Sequence, residues 1–169
     1  PVAIGLVGAD GRDLPLYLAG EGDVPERGQT TRILSLTAGE QQFVFEGVPA
    51  PPVPSLLRDF SAPVILDHEW LDGELSFLLA HDSDPFNRWE AGQRLASRLI
   101  LGAAADIAAG RAPDWPADVA DALRQVLLHA GSDPAFAAEV LTLPGEATLA
   151  EEMAVVDPDA LHTARNALR

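Results

Sequence analysis

His81-Asp82-Ser83-Asp84-Pro85-Phe86-Asn87-Arg88-Trp89 is the stretch at which the chain changes its period. Before it, apolar residues alternate with polar ones in short runs bounded by Gly, Pro and Asp. After it they recur every three or four residues. Asp84 ahead of Pro85 reads as a side-chain cap followed by the residue best suited to a first helical position. Strands are therefore expected on one side and helices on the other, an order that indicates two adjacent domains rather than an alternating fold. The boundary is expected at 81–84, with domains over 1–82 and 83–169.

Working back towards the N-terminus, β-rich runs cover residues 2–7, 14–18, 31–37, 41–46, 64–70 and 74–80. Asp10-Gly11 and Asp72-Gly73 are the dipeptides that suit tight hairpin turns, and each lies between two candidate strands. Around the second, Val64, Leu66, His68 and Trp70 fall on one strand face, as do Leu75, Phe77 and Leu79. These faces are expected to form half of a sandwich core. Phe43 and Phe45 alternate with Gln42, Val44 and Glu46 in the same way, which argues for antiparallel strands with one dry side. Residues 19–30 read as a long surface loop.

Working forward, Phe86, Trp89, Ala96, Leu99, Ile100, Ala103 and Ile107 form one helical stripe. Asp133-Pro134 and Asp157-Pro158 repeat the Asp84-Pro85 punctuation. Trp115-Pro116 opens a further helix with Val119, Leu123, Val126 and Leu127 as its stripe. Gly110, Gly131 and Gly145 stand near the breaks, where a left-handed residue is expected to end a helix. If the last helix belongs to a longer array, apolar surface is expected to lie open near Leu161 and Leu168.

The 169 residues carry 26 acidic and 11 basic side chains, a formal charge of -15. Such a chain repels phosphate backbones and shows no local basic face, so no nucleic-acid partner is expected. Hydrophobic residues at 47% suffice for a core without staples. The absence of Cys removes disulfides, thiolate metal sites and a Cys nucleophile, and fits a reducing compartment. The longest apolar runs fall far short of the ~20 residues of a membrane span, so no membrane partner is expected. No basic segment leads into an apolar run at Pro1, so no secretion signal is read. The only Met is Met153, and Pro1 reads as a processed terminus or a cut inside a longer protein.

Candidate chemistry is sparse. A zincin needs two His one helical turn apart with a Glu between them, and His68, His81, His129 and His162 are all too widely spaced for that. His68 is expected at the sandwich margin. His81, Asp82 and Asp84 offer ligand atoms, but Phe86 stands where a calcium loop needs a third ligand, so Asp84 is read as a cap. No Ser lies in a Gly-x-Ser-x-Gly elbow; Ser55 and Ser61 read as loop or strand-edge residues, and Ser132 is followed by Asp133. Glu151 and Glu152 point apart on a helix and read as a solvated face. Gly20-x-Gly22 has Glu21 and Asp23 beside it, which disfavours an anion. Trp70, Trp89 and Trp115 each fall on or beside an apolar stripe and are expected in packing.

Pro52-Val53-Pro54-Ser55-Leu56-Leu57-Arg58-Asp59-Phe60-Ser61-Ala62-Pro63-Val64 resembles a signature stretch of the bacterial aminopeptidase N family, the zinc alanyl aminopeptidases. Gln42-Phe43-Val44-Phe45 upstream is similar to the same family. So, in order, are Asp84-Pro85-Phe86-Asn87-Arg88-Trp89-Glu90-Ala91-Gly92-Gln93, Ala120-Asp121-Ala122-Leu123-Arg124, Asp133-Pro134-Ala135-Phe136 and Leu141-Thr142-Leu143-Pro144. The resemblance implies a four-part enzyme of which this chain is the third part and the start of the fourth. The expected fold is an all-β immunoglobulin-like sandwich of about seven antiparallel strands, followed by an all-α array of helical hairpins, the truncated start of a superhelical domain.

The resemblance also implies what the chain lacks. The zinc ligands, the exopeptidase motif and the catalytic tyrosine belong to the second part, so no catalytic, cofactor-binding or metal residue carries over. Tyr17, the only Tyr, lies in an expected strand. No cofactor is expected in this fragment, and zinc belongs to the parent, a metalloprotease that removes N-terminal residues from peptides. The expected partners are the remaining domains of that parent, which alone would meet peptide substrate. The fragment is expected to be inactive and to space and orient a helical lid. The competing reading is a free-standing sandwich module that binds peptide or carbohydrate, with a helical dimerisation segment.

Overall fold

The computed structural model describes residues 1–20 and 28–169. The loop expected over 19–30, with its Gly20-x-Gly22 pair, lies in large part outside the described residues. The chain divides into two compact units, Pro1–Arg88 and Trp89–Arg169.

The first unit is built on β1 (Val2–Val7), an apolar run buried along nearly its whole length. It is the middle strand of an antiparallel sheet, between β3 (Thr31–Leu34) and β5 (Val53–Leu56). A second, two-stranded sheet pairs β2 (Tyr17–Leu18) with β4 (Phe45–Glu46). A turn forms at Asp10-Gly11, but wider than a two-residue hairpin: Gly8 N–H donates to Arg12 O, and the strand expected over 14–18 shortens to Tyr17–Leu18. Gly11 takes a left-handed φ of 76°, and the chain returns beside β1 through a bridge between Val7 and Asp13. Phe43 and Phe45 are half-buried while Val44 and Glu46 are exposed, as their alternation predicts.

Three expectations for this unit are corrected. Five strands, not about seven, are present among the described residues. Residues 64–70 keep the alternation, with Leu66, His68 and Trp70 turned inward, but they find no ladder partner among the described residues and Val64 is exposed. Residues 74–80 are not a strand. They lie in helix α1 (Asp72–His81), which buries Leu75, Leu78 and Leu79 at helical spacing. Asp72-Gly73 is its first turn rather than a hairpin. Gly73 has no left-handed backbone, and the Glu74 carboxylate accepts from Leu71 N–H at 2.9 Å to close the helix start. Conversely, β5 forms where no strand is expected, although Pro54 has no N–H to give a ladder. It is tolerated here because β5 lies at the sheet edge.

Helix α2 (Pro85–Ala108) starts in the first unit and continues into the second. In the second unit it is followed by α3 (Ala117–His129), α4 (Pro134–Val140), α5 (Glu146–Glu151) and α6 (Pro158–Leu168). The three Asp-Pro starts cap as expected. Asp84, Asp133 and Asp157 accept from the backbone N–H of Asn87, Phe136 and Ala160 at 2.8, 2.9 and 3.0 Å. Ile100, Ala103 and Ala104 of α2 form one core with Leu149 of α5 and Ala160, Leu161 and Ala164 of α6, and Trp115 packs on its margin. Small residues at these positions let the helices approach closely.

The helical unit corrects three further expectations. Leu161 is only 2% exposed and Leu168 packs on the same core, so the apolar surface lies elsewhere, at Leu127 and Leu128 and at Val155 and Val156. On α3 the inward positions are Val119, Ala122 and Val126, and Leu127 is turned to solvent. Of the three breaking glycines only Gly110 is left-handed, with Arg111 N–H closing onto Asp106 O at 2.8 Å. Gly145 instead precedes α5 with an ordinary extended backbone.

Candidate functional site

The most developed polar constellation surrounds Arg58, within the first unit. Register places Thr31, Gly5 and Ser55 in one row across β3, β1 and β5. Paired residues in such a row face the same side. Gly5 leaves a gap in the middle of the row and the Arg58 guanidinium fills it: a Cβ on Gly5 would stand 2.0 Å from Arg58 Cζ. On either side, Arg58 Nε donates to Ser55 Oγ at 2.8 Å and Nη1 donates to Thr31 Oγ1 at 3.0 Å.

The rest of the fork meets carboxylates. Nη1 and Nη2 donate to the two oxygens of Asp13 at 2.9 and 2.8 Å, a bidentate pair, and Nη2 reaches Asp82 Oδ1 at 3.3 Å. Arg58 is 3% exposed, so these contacts replace its water. Asp82 Oδ1 also accepts from Asp84 N–H at 3.0 Å, and Asp84 accepts from Asp59 N–H at 2.9 Å. Asn87 Nδ2 donates to Ser55 Oγ and to Leu56 O, both at 2.9 Å. The end of β5 is thus bonded directly to the first turn of α2.

The turn that carries Arg58 is strained. Leu57, Asp59 and Phe60 all have left-handed φ, at 59°, 54° and 50°. For residues with a Cβ this costs of order 1 kcal/mol each, so the packing around Arg58 must outweigh it. Burial alone would raise the Asp13 carboxyl, but hydrogen bonds from Arg58 and Ser83 outweigh it and hold that carboxyl below its ordinary value. Asp82 goes the other way. Burial dominates and raises it, and its second oxygen, Oδ2, has no hydrogen-bond partner among the described residues. Burial would lower Arg58, yet Asp13 and Asp82 together hold it above its ordinary value.

The structure places the sequence candidates as follows. Asp82 and Asp84 join the Arg58 cluster, and Asp84 also caps α2. Ser55 is fully buried within the cluster, while Ser61 accepts from Ala3 N–H at 2.8 Å. His68 lies edge-on to Trp70 with ring centroids 4.2 Å apart. His81 stacks beside Phe77 at 4.8 Å and lies over Gly11. His129 meets Gln125 O at 2.7 Å, and His162 Nδ1 lies 2.8 Å from Glu146 Oε1. Ser132, Glu151 and Glu152 are exposed.

Zinc, which the resemblance implies for the longer protein, needs three or four converging ligands. Among the described residues no group of three or more His, Cys, Asp or Glu is placed to hold a metal ion. These residues do not fit a zinc site. Arg58 itself went unrecognised in the sequence, because an isolated Arg between two loops gives no sign of burial. Gly5, inside an otherwise apolar strand, was the one available signal that something approaches the backbone closely.

Residues 1–69 match the family described as Domain of unknown function (DUF3458) Ig-like fold, and residues 72–169 the one described as Domain of unknown function (DUF3458_C) ARM repeats. The chain is 41% identical over 168 residues to Aminopeptidase N of Escherichia coli (strain K12), a match covering 99% of this chain and 18% of that protein. It is 42% identical over 169 residues to Aminopeptidase N of Caulobacter vibrioides, covering 99% of this chain and 17% of that one. A crystal structure of Legionella pneumophila aminopeptidase A in complex with aspartic acid aligns with a TM-score of 0.71 at 26% identity, over 99% of this chain and 18% of that one. The chain therefore spans less than a fifth of the length of the relatives it matches.

Proposed function

The chain belongs to the DUF3458 family, the Ig-like fold followed by the DUF3458_C ARM repeats, and from that premise we propose that it is a non-catalytic segment of an aminopeptidase N-like zinc metallopeptidase. Its role is to space and orient the helical array relative to a peptidase domain carried elsewhere in the longer polypeptide. The observation that carries this reading is the Arg58 cluster. It bonds the edge of the Ig-like sheet to the first turn of α2, where Asn87 Nδ2 donates to Ser55 Oγ and to Leu56 O, and Ser55 in turn accepts from Arg58. Arg58 commits its donors to Asp13, Asp82, Ser55 and Thr31 as a structural group does, whereas a catalytic arginine keeps donors free for substrate.

The zinc, the peptide substrate and the activity belong in this reading to the longer protein. The test uses the purified 169-residue chain with aminoacyl chromogenic substrates, with and without added zinc. No turnover is expected in either condition. Turnover that survives substitution of both His68 and His81 would overturn the reading.

A further inference from the structure

The chain holds a single sulfur atom: it has no Cys, and its only Met is Met153. That residue lies between the end of α5 at Glu151 and the start of α6 at Pro158. Across residues 151–156 every side chain is exposed except that of Met153, which is half-buried. It packs against the core that Ile100, Leu149 and Leu161 share among α2, α5 and α6. Little else ties the connection down. Met153 N–H donates to Ala150 O at 3.2 Å, but among the described residues the N–H groups of 154–156 donate to no other backbone group. Helix α5 itself has six residues, too few to persist without tertiary packing.

We propose that Met153 is a redox-sensitive modification site, at which a neutral hydroperoxide oxidises the thioether to the sulfoxide and releases the α5–α6 connection from the core. The sulfur lone pair attacks the outer peroxide oxygen, and an S–O bond forms as the O–O bond breaks. Sulfur gives up two electrons and the peroxide gains them; the departing oxygen takes up a proton and leaves as water, or as an alcohol from an organic hydroperoxide. No thiol in the chain competes for the oxidant. Glu151 and Glu152, both exposed on a chain of formal charge -15, repel anionic oxidants but not an uncharged peroxide. The product is polar where a flexible apolar group sat, and the aliphatic side chains of the core offer its oxygen no donor. The site lies wholly in the helical unit and is independent of the proposed function.

The test treats the native 169-residue chain with hydrogen peroxide, locates the added oxygen by peptide mass mapping and follows melting by circular dichroism. Met153 is expected to gain one oxygen at a rate within about tenfold of that in the urea-unfolded chain, because susceptibility follows exposure. The oxidised chain is expected to melt about 2–8 °C lower, the effect of one poorly satisfied polar group in a chain of this size. Met153→Leu keeps the apolar anchor without the sulfur, and its melting temperature is expected to be unmoved by the same treatment.

Native oxidation slower than that bound would mean that the fold shelters the sulfur, and the proposal would fall. A sulfoxide that leaves the melting temperature unchanged would overturn it as well. So would an equal fall in Met153→Leu, which would place the damage at another residue. Should that variant fail to fold, methionine sulfoxide reductases acting on both epimers, with a thiol reductant, supply the second measurement. Removing the oxygen is expected to restore the original melting temperature; a deficit that persists after the mass has returned would rule Met153 out as its cause.

Discussion

Arg58 has five N–H groups, and every one of them meets an acceptor inside the protein. Removing it would leave Asp13 and Asp82 facing each other without a cation. Arg58→Met is therefore expected to cost about 3–5 kcal/mol, read as a lower urea midpoint. Arg58→Lys keeps the charge but loses the planar fork and should recover only part of that loss. The two acids respond to pH with opposite sign. Asp13, lowered below its ordinary 3.8, contributes stability that is present above that value and lost as pH falls through its folded value. Asp82, raised above 3.8, binds its proton more tightly in the folded state, so its effect is to reduce stability as pH climbs from 3.8 through its folded value. Asp82→Asn should accordingly gain on the wild type as pH rises from below 3.8 towards neutrality. Denaturation curves at matched pH check this, and a relative loss over the same range would show the sign to be wrong.

At the scale of elements, α1 separates two readings of the same letters. If Gly73 sat in a hairpin turn, Gly73→Ala would strain a left-handed backbone and destabilise the protein. In the first turn of α1, with nothing within 4 Å of an added Cβ, the same change is expected to stabilise by about 0.5–1 kcal/mol, read as a higher melting temperature. This segment also shows what was legible. Leu75, Phe77 and Leu79 satisfy strand alternation, and Leu75, Leu78 and Leu79 satisfy a helical face; ten residues are too few for period alone to decide. Capping chemistry was read correctly at Asp84, Asp133 and Asp157 because an Asp-Pro start acts through bonds only three residues long. The strand ladder was read less well, since pairing depends on distant partners: residues 2–7 and Val2–Val7 coincide, while 31–37 shortens to Thr31–Leu34. The Arg58 cluster was illegible for the same reason, joining positions 45 and 24 residues apart.

At the scale of the whole molecule, the family match and the resemblance read from the sequence agree: an Ig-like fold leads into ARM-type helices, and the chain aligns along nearly all its length with a segment of aminopeptidase N. The 24 residues of helix α2 belong partly to each compact unit, with no proline after the first of them. Only Pro85–Arg88, its first turn, lies in the first unit, and the leading N–H groups of a helix lack intrahelical partners in any case, so nearly all of its ladder belongs to the second unit. The same shared helix constrains inheritance. Genetic exchange between related proteins that broke the gene within residues 85–108 would join mismatched halves of one helix, whereas a crossover at residues 110–116, beyond the end of α2 and before α3, would leave both partners whole. Chimaeras among relatives should therefore survive with their seams in that short connector, and lineages should have passed the sheet and the first long helix on together, as one hereditary block.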